Sequence, residues 1–460
     1  MEASEMSGSW WLPEAPDNKV WGILSCSESG ELNLAIVGSL TNGWAAAITT
    51  VNPSLTILGE TYGERGQAVT LRGCFETNTT VSNNRLRNRQ AFFGQRGYFG
   101  AHLSSATDPT FHTAILSYSG LASWAQGFTG FLKGEPFYAA KWAKPANRGA
   151  TIPGCRFELD VRISHTRSAR EQTLSEDVLL RCEFEPPVVE PEFQSRIAYG
   201  IQGLLTFATG RPNALTQVRV DGTSDSEGVR IVGPAVYADE AEASDLDRGD
   251  MLFTLDDIGD RFEDVFRRWF ALSERYSQVL PLYFGGLYRP PGYTDLRFAQ
   301  VLQTLTLYQA DRDANLRGSS PADEFLSDFQ SEISAEKSVR LRDLIDSHPL
   351  AGVQHALTRL VGENVAEFAP VVGGPERCAE FVQNVSNTQQ YLLTRRLPPD
   401  GRALEGEDLY WLTERLDWLV KIILLKEIGF TLKEVHGLIF RNARYNAAKL
   451  QAIRKPDLRT

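Results

Sequence analysis

The sequence predicts an α+β protein: a β-rich amino-terminal domain over residues 1–250, built as a sandwich or curled sheet with inserted helices, and an all-α bundle over residues 251–460. Three observations carry this. Short runs mixing β-branched, leucine and aromatic residues recur through the first half between glycines and prolines. Near residue 250 the apolar spacing changes to steps of three and four. With 460 residues, 42% hydrophobic and 23% charged, the chain is too long for one ordinary core and well composed for two.

In chain order, VWGILS, LNLAIVG, LTILGETYG and QAVTLRGCFE read as the first strands. GETYGERG has neither the lysine nor the strand, loop and helix context of a phosphate loop, so it reads as hairpin turns. SYSGLASWAQGF suits a short helix, and RFELDVRIS, DVLLRCEFE and VRIVGPAVY continue the strands. The clustered Trp10 and Trp11, with Trp21 and Trp44, fit core or edge packing, with a ligand-stacking platform as the alternative. DGTSDSEG and ADEAEASDLDRGD are acidic and poor in large apolar residues, as loops near a domain edge are.

The helical half opens with Ile258, Phe262, Val265, Phe266, Trp269 and Leu272 on one stripe. LRFAQVLQTLTLYQA, SVRLRDLIDSH and GVQHALTRLV continue it. In LEGEDLYWLTERLDWLVKIILLKEIGF, Leu409, Leu412, Leu416, Leu419 and Ile423 line one helix face. From Trp418 onward apolar residues appear on nearly every side, so neighbours or a second subunit must enclose that end, and Gly429 stops the helix.

Composition narrows the function classes. No run approaches the ~18 apolar residues of a membrane span, and MEASEMSGSWWLP lacks the basic and apolar regions of a secretory signal, so the expected location is cytoplasmic. The five cysteines are scattered without a Cys-x-x-Cys pair, and no histidine has a second ligand at helical spacing; neither a disulfide framework, a metal site nor a cofactor is expected. The net charge of −11 excludes bulk attraction to nucleic acid, although Lys433 to Thr460 holds seven Lys or Arg against Glu434 and Asp457.

GSWWLP, VWGILS, ILGETYG with AVTL, and AHLSSATDPTF followed by LASW resemble the ApeA amino-terminal domain. EGEDLYWLTERLDWLVKIILLKEIGF resembles the last long helix of the ApeA-like HEPN domain, in the right order. The resemblance implies a prokaryotic antiviral protein of the abortive-infection type. It implies an amino-terminal domain that senses a trigger such as a phage protein, and a HEPN domain that forms a homodimer and acts on RNA as a metal-independent ribonuclease. The family motif is Arg-Asn-x-x-x-His before the final long helix. An imidazole moves the ribose 2′-hydroxyl proton near neutral pH while a guanidinium holds the phosphate charge.

This chain departs from that motif. The Arg-Asn slots fall on Gln389 and Gln390 and the histidine slot on Thr394. On the earlier helix, where the family often carries a glutamate and a histidine, Thr306 and Gln309 stand instead. No histidine lies between His355 and His436, so a shift in alignment restores nothing. Arg342 with His348 satisfies the loose Arg-x(4–6)-His spacing outside the expected segment, and Arg96 with His102 satisfies it in the strand-rich half. Arg395 and Arg396 suit phosphate contact, or else form an exposed helix end before Pro398 and Pro399. Two functions stay open: an RNA-directed defence protein with doubtful cleavage, and a non-catalytic dimerisation or regulatory module that binds a partner nuclease or a phage trigger.

Overall fold

Alternation of apolar and polar residues sets the first strands. In β3 (Leu32–Val37) Leu32, Leu34 and Ile36 are buried, while Asn33, Ala35 and Val37 face outward. The same logic builds β1 (Ser4–Trp11), β2 (Val20–Cys26), β4 (Leu55–Thr61), β5 (Ala68–Thr80) and β6 (Arg89–Phe99). The computed structural model describes residues 4–40, 54–63, 66–80, 89–103, 108–125, 129–131, 140–142, 148–167, 172–220, 228–233, 246–317, 349–396 and 402–447.

These six strands are antiparallel and run β6-β3-β2-β1-β4-β5, and β5 pairs back onto β6 along its length. The curl expected from the sequence therefore goes to completion as a closed barrel, which removes the strand edges of an open sheet. Trp10, Leu24, Leu34, Ile57, Leu71, Phe92 and Phe99 fill it. Trp10 is fully buried because two strands give way to it. A Cβ on Gly59 would lie 2.2 Å from Trp10 Cε3, and one on Gly22 3.0 Å from Cδ1.

The rest of the strands are β7 (Thr110–Tyr118), β8 (Thr129–Phe131), β9 (Ala140–Trp142), β10 (Arg148–Ile152), β11 (Cys155–Arg167), β12 (Gln172–Val189), β13 (Leu215–Val220) and β14 (Val229–Val232). Strand β6 forks: Arg89–Gly94 pair with β3, and Gly97–Phe99 pair with β14. From β14 the sheet continues through β13, β7, β12 and β11 to β10, while β8 and β9 pair separately. Its inner face packs on α1 (Leu121–Ala125) and on a π-helical turn, Phe193–Ala198, that leads into α2 (Tyr199–Thr209). Phe193 meets Phe111 and Phe184 edge-on at 5.6 and 5.9 Å, and Tyr118 Oη donates to Ala198 O at 2.9 Å.

Two compact units result, Met1–Leu246 with Thr254–Glu263, and Asp247–Phe253 with Asp264–Thr460. The helices are α3 (Phe262–Arg275), α4 (Val279–Tyr288), α5 (Thr294–Arg317), α6 (Pro349–Glu363), α7 (Val365–Val372), α8 (Pro375–Thr394), α9 (Gly406–Glu427) and α10 (Leu432–Arg441). The sequence stripe on α3 is buried as expected, from Phe262 to Leu272. Every residue of α9 from Leu416 to Leu425 is buried, and α5, α7 and α10 of the same chain do the enclosing. Gly429 adopts φ 101° just past α9, and Phe430 N donates back to Leu425 O at 3.0 Å, a glycine stop. A capping box then starts α10: Thr431 N donates to Glu434 Oε2 at 2.8 Å and Glu434 N to Thr431 Oγ1 at 3.4 Å. No described helix is long and apolar enough to cross a membrane.

Candidate functional site

Helix α8 carries the three motif positions on its last turns. Phe381, Val382 and Val385 bury its inner face, and Thr388 Oγ1 accepts from Leu404 N at 3.1 Å, tying the approach to α9. Gln389 and Gln390 are half-buried and Thr394 is exposed. The Thr394 hydroxyl is engaged by the helix end: it donates to Gln390 O at 2.7 Å and accepts from Arg396 N at 3.1 Å. Arg395 ends α8 with φ 56°, donating its N–H to Tyr391 O at 2.7 Å. Its guanidinium lies 5.7 Å from the Tyr391 ring centroid, and Arg396 is exposed beside it. A hydrogen bond with Glu405 pushes the Tyr391 phenol up, with Arg395 pulling the other way. Cationic donors and neutral amides are present on these turns; a group that exchanges protons near neutral pH is not.

Of the two positions on α5, Thr306 is half-buried like the two glutamines of α8, and Gln309 lies deeper. Thr306 Oγ1 donates to Leu302 O at 2.9 Å. Gln309 is fully buried; its Nε2 donates to Asp313 Oδ1 at 3.0 Å, and its Oε1 has no partner among the described residues. Asp313 Oδ2 meets Arg359 Nη1 at 2.9 Å, and Arg359 Nη2 meets Glu363 Oε1 at 3.3 Å, so Gln309 belongs to a polar chain joining α5 to α6. Both α5 and α8 pack on α6. Arg342 and His348 lie outside the described residues. His355 is exposed on α6, and His436 on α10 sits 3.4 Å from Glu367 O.

A cluster that sequence reasoning missed lies inside the bundle. Arg297 of α5 meets Glu414 Oε1 at 2.7 Å, Lys421 meets Asp417 Oδ2 at 2.7 Å, and Tyr283 Oη donates to Asp417 Oδ1 at 3.1 Å. Burial alone would raise the Asp417 carboxyl, but Lys421, Arg297 and the two hydrogen bonds outweigh it and hold it below the usual carboxylate range. Burial and the Asp417 charge push the Tyr283 phenol well up. A carboxylate so saturated stays ionised and serves as a fixed tie rather than a proton shuttle. Glu414, Asp417 and Lys421 recur at steps of three and four, a stripe that in sequence reads as a solvated helix face; their burial is what the structure adds.

The model of the ApeA N-terminal domain 1 family matches residues 5–269, more than half of the chain. The chain belongs to that family. No curated protein and no solved structure matches it. ApeA-type antiphage defence is the role this membership points to, and the helical unit that follows is compatible with it.

Within the ApeA amino-terminal domain the second loose pair is held apart by other partners. Arg96 Nη1 pairs with Glu190 Oε1 at 3.2 Å, and Tyr98 donates to the other oxygen of Glu190, which is itself buried. His102 Nε2 lies 2.9 Å from Gly59 O, with its ring edge-on to Trp11 at 5.3 Å. Of the tryptophans, Trp10 and Trp11 are buried, Trp21 is 45% exposed, and Trp44 lies outside the described residues. All five cysteines are unpaired, and among the described residues no group of three or more His, Cys, Asp and Glu comes together as a metal site would.

Proposed function

We propose that this ApeA-type protein acts in prokaryotic, abortive-infection defence, with a HEPN-like helical unit directed at RNA that has exchanged its cleavage groups for neutral ones and works by binding. The observation that carries this is the state of α8. Gln389 and Gln390 are amides, and the Thr394 hydroxyl is engaged by the backbone of its own helix end. General acid–base assistance is worth roughly 10²- to 10⁴-fold, and one charge-stabilising donor about 2.7–4 kcal/mol. A bundle without both retains at most slow cleavage. Arg395 and Arg396 still present two exposed cations that suit an RNA backbone. The homodimer that the resemblance implies is part of this proposal. Leu409, Leu412 and Leu416 are buried inside the bundle, so pairing uses other residues, of which Leu393 (62% exposed) and Tyr410 are candidates.

The second reading is residual nuclease activity using Arg395 and a group from a second copy. A metal-free assay of the full chain on labelled tRNA and mRNA separates the two. Intact RNA, with a mobility shift weakened by Arg395→Ala and Arg396→Ala, supports the binder. Cleavage in EDTA that Arg395→Ala abolishes overturns it.

A further inference from the structure

The outer face of the extended sheet holds a pocket of about 290 Å³ within the strand-rich unit, at the lower end of small-molecule sites. Three adjacent strands build it: Asp177 and Leu179 from β12, Ile115 and Ser117 from β7, Gln217 and Arg219 from β13, while the buried Tyr118 and Val178 and Ala122 of α1 complete the lining at the sheet's inner side. Register explains the grouping. Gln217 stands opposite Ser117, and Ile115 is flanked by Arg181 on one side and Arg219 on the other. The β13–β7 register slips between Leu215 and Gln217, a bulge at the edge of the pocket that re-aims the strand.

One row of this face is cationic. Arg219 stands directly across from Arg230 of β14, and Arg181 lies two strands from Arg219 with only Ile115 between them. Like charges directly opposed on a sheet destabilise it. Yet neither Arg219 nor Arg230 has a carboxylate within ion-pair distance among the described residues, and only Arg181 stands across from an acid, Glu158. Arg219 is instead positioned by a neutral group: with the Gln217 amide turned to face it, the amide oxygen accepts from Nε at 2.7 Å and Nη2 at 3.3 Å. Arg230 is held with its guanidinium 4.8 Å from the Phe99 ring centroid. Both arginines are held by neutral groups, Arg219 by the Gln217 amide and Arg230 by the Phe99 ring.

Two rows along β12 from Arg181, about 14 Å at ~3.4 Å per residue, the polar group is the exposed carboxylate of Asp177. Between the charged ends, Ile115 and Leu179 form an apolar floor with Ser117 and Gln217 beside it. The arrangement asks for an anion at one end, a flat apolar body, and hydrogen-bond donors at the other.

We propose that this pocket binds a nucleoside 5′-phosphate, with the phosphate on Arg219 at the end nearest Arg230, the ring over Ile115 and Leu179, and the amino edge of the base on Asp177. The site lies in the strand-rich unit and stands whether or not the helical unit cuts RNA.

The test is calorimetric titration of the full chain with AMP, GMP, CMP and UMP, with adenosine, ribose 5-phosphate and inorganic phosphate alongside, and a short 5′-phosphorylated RNA. At least one monophosphate binds tighter than its nucleoside and than inorganic phosphate by about tenfold or more, and Arg219→Gln removes about tenfold. Asp177→Asn changes the order among bases and leaves ribose 5-phosphate unchanged. If the phosphorylated RNA binds with the same Arg219 dependence, the source is an RNA end; if the free nucleotide alone binds, it is a small molecule. Ligand-free Arg219→Gln protein melts at or above the wild-type temperature, because a like-charge pair has been relieved. No binding at millimolar nucleotide, binding indifferent to Arg219→Gln and Arg230→Gln, or a marked loss of melting temperature in Arg219→Gln overturns the proposal.

Discussion

The Tyr283 hydroxyl donates to Asp417 Oδ1 at 3.1 Å, joining α4 to the middle of α9 at a carboxylate only 2% exposed. Removing the charge strands Lys421, which is also buried. Asp417→Asn is therefore expected to destabilise the chain by about 3–5 kcal/mol, and Tyr283→Phe by about 1–3 kcal/mol, in urea unfolding. A Lys421→Met partner change recovers part of the Asp417→Asn loss, because no uncompensated charge then remains.

The same residue makes a pH prediction. The folded Asp417 carboxyl lies below its ordinary value, so the unfolded chain binds the proton first as pH falls. Its contribution is fully present above about pH 4 and is lost as pH drops further, through the folded value. Unfolding midpoints of wild type and Asp417→Asn, compared from pH 7 to pH 3, should converge at the acid end. A constant gap would count against an ionised Asp417.

Gly59 and Trp10 form a matched pair in the barrel. Gly59→Ala brings a methyl 2.2 Å from Trp10 Cε3 and is expected to cost about 1–3 kcal/mol, while Trp10→Ala costs about 3–5 kcal/mol. In the double variant the Gly59→Ala penalty largely disappears, so a double-mutant cycle returns a clear coupling. Additive losses would mean that the glycine serves something other than the indole.

Arg96 tests the loose motif in the strand-rich half. Its partner Glu190 is buried while Arg96 itself keeps partial contact with solvent. Arg96→Gln is expected to lower stability by about 1–3 kcal/mol after discounting for screening. Neither it nor His102→Ala alters any RNA cleavage under metal-free conditions. A cleavage activity lost in both variants, with melting temperatures unchanged, would reassign the pair.

On the proposal that α8 is a HEPN helix lacking only the chemistry, installing the HEPN motif residues should supply it. Gln389→Arg, Gln390→Asn and Thr394→His together are expected to raise metal-free cleavage by about 10² or more over wild type. A folded triple variant that binds RNA and cuts no faster would place the defect elsewhere, with Thr306 and Gln309 next to be changed.

The parts of the fold legible in the sequence are those with local causes. Leu32, Leu34 and Ile36 announce β3 by alternation, Phe262 to Trp269 announce α3 by stripe, and Gly429 announces the end of α9. Closure of the barrel was not legible, since it depends on the register of β5 against β6 and on Gly59 meeting Trp10 from a strand more than forty residues away. The buried charges of α9 were not legible, since at steps of three and four they read as a solvated face, and Arg297 and Tyr283, which satisfy them, lie more than a hundred residues upstream. At the positions that the HEPN resemblance singles out, the sequence shows only residue types; that the Thr394 hydroxyl is engaged by its own helix end took geometry to see.

Because β6 belongs to the ring and to the open sheet at once, its amides are flanked on both sides while β10 is bounded on one. Solvent deuterium should consequently enter this half as a gradient, fastest at β10 and slowest at Phe92 and Tyr98. Local opening can then loosen the outlying strands while the ring stays shut.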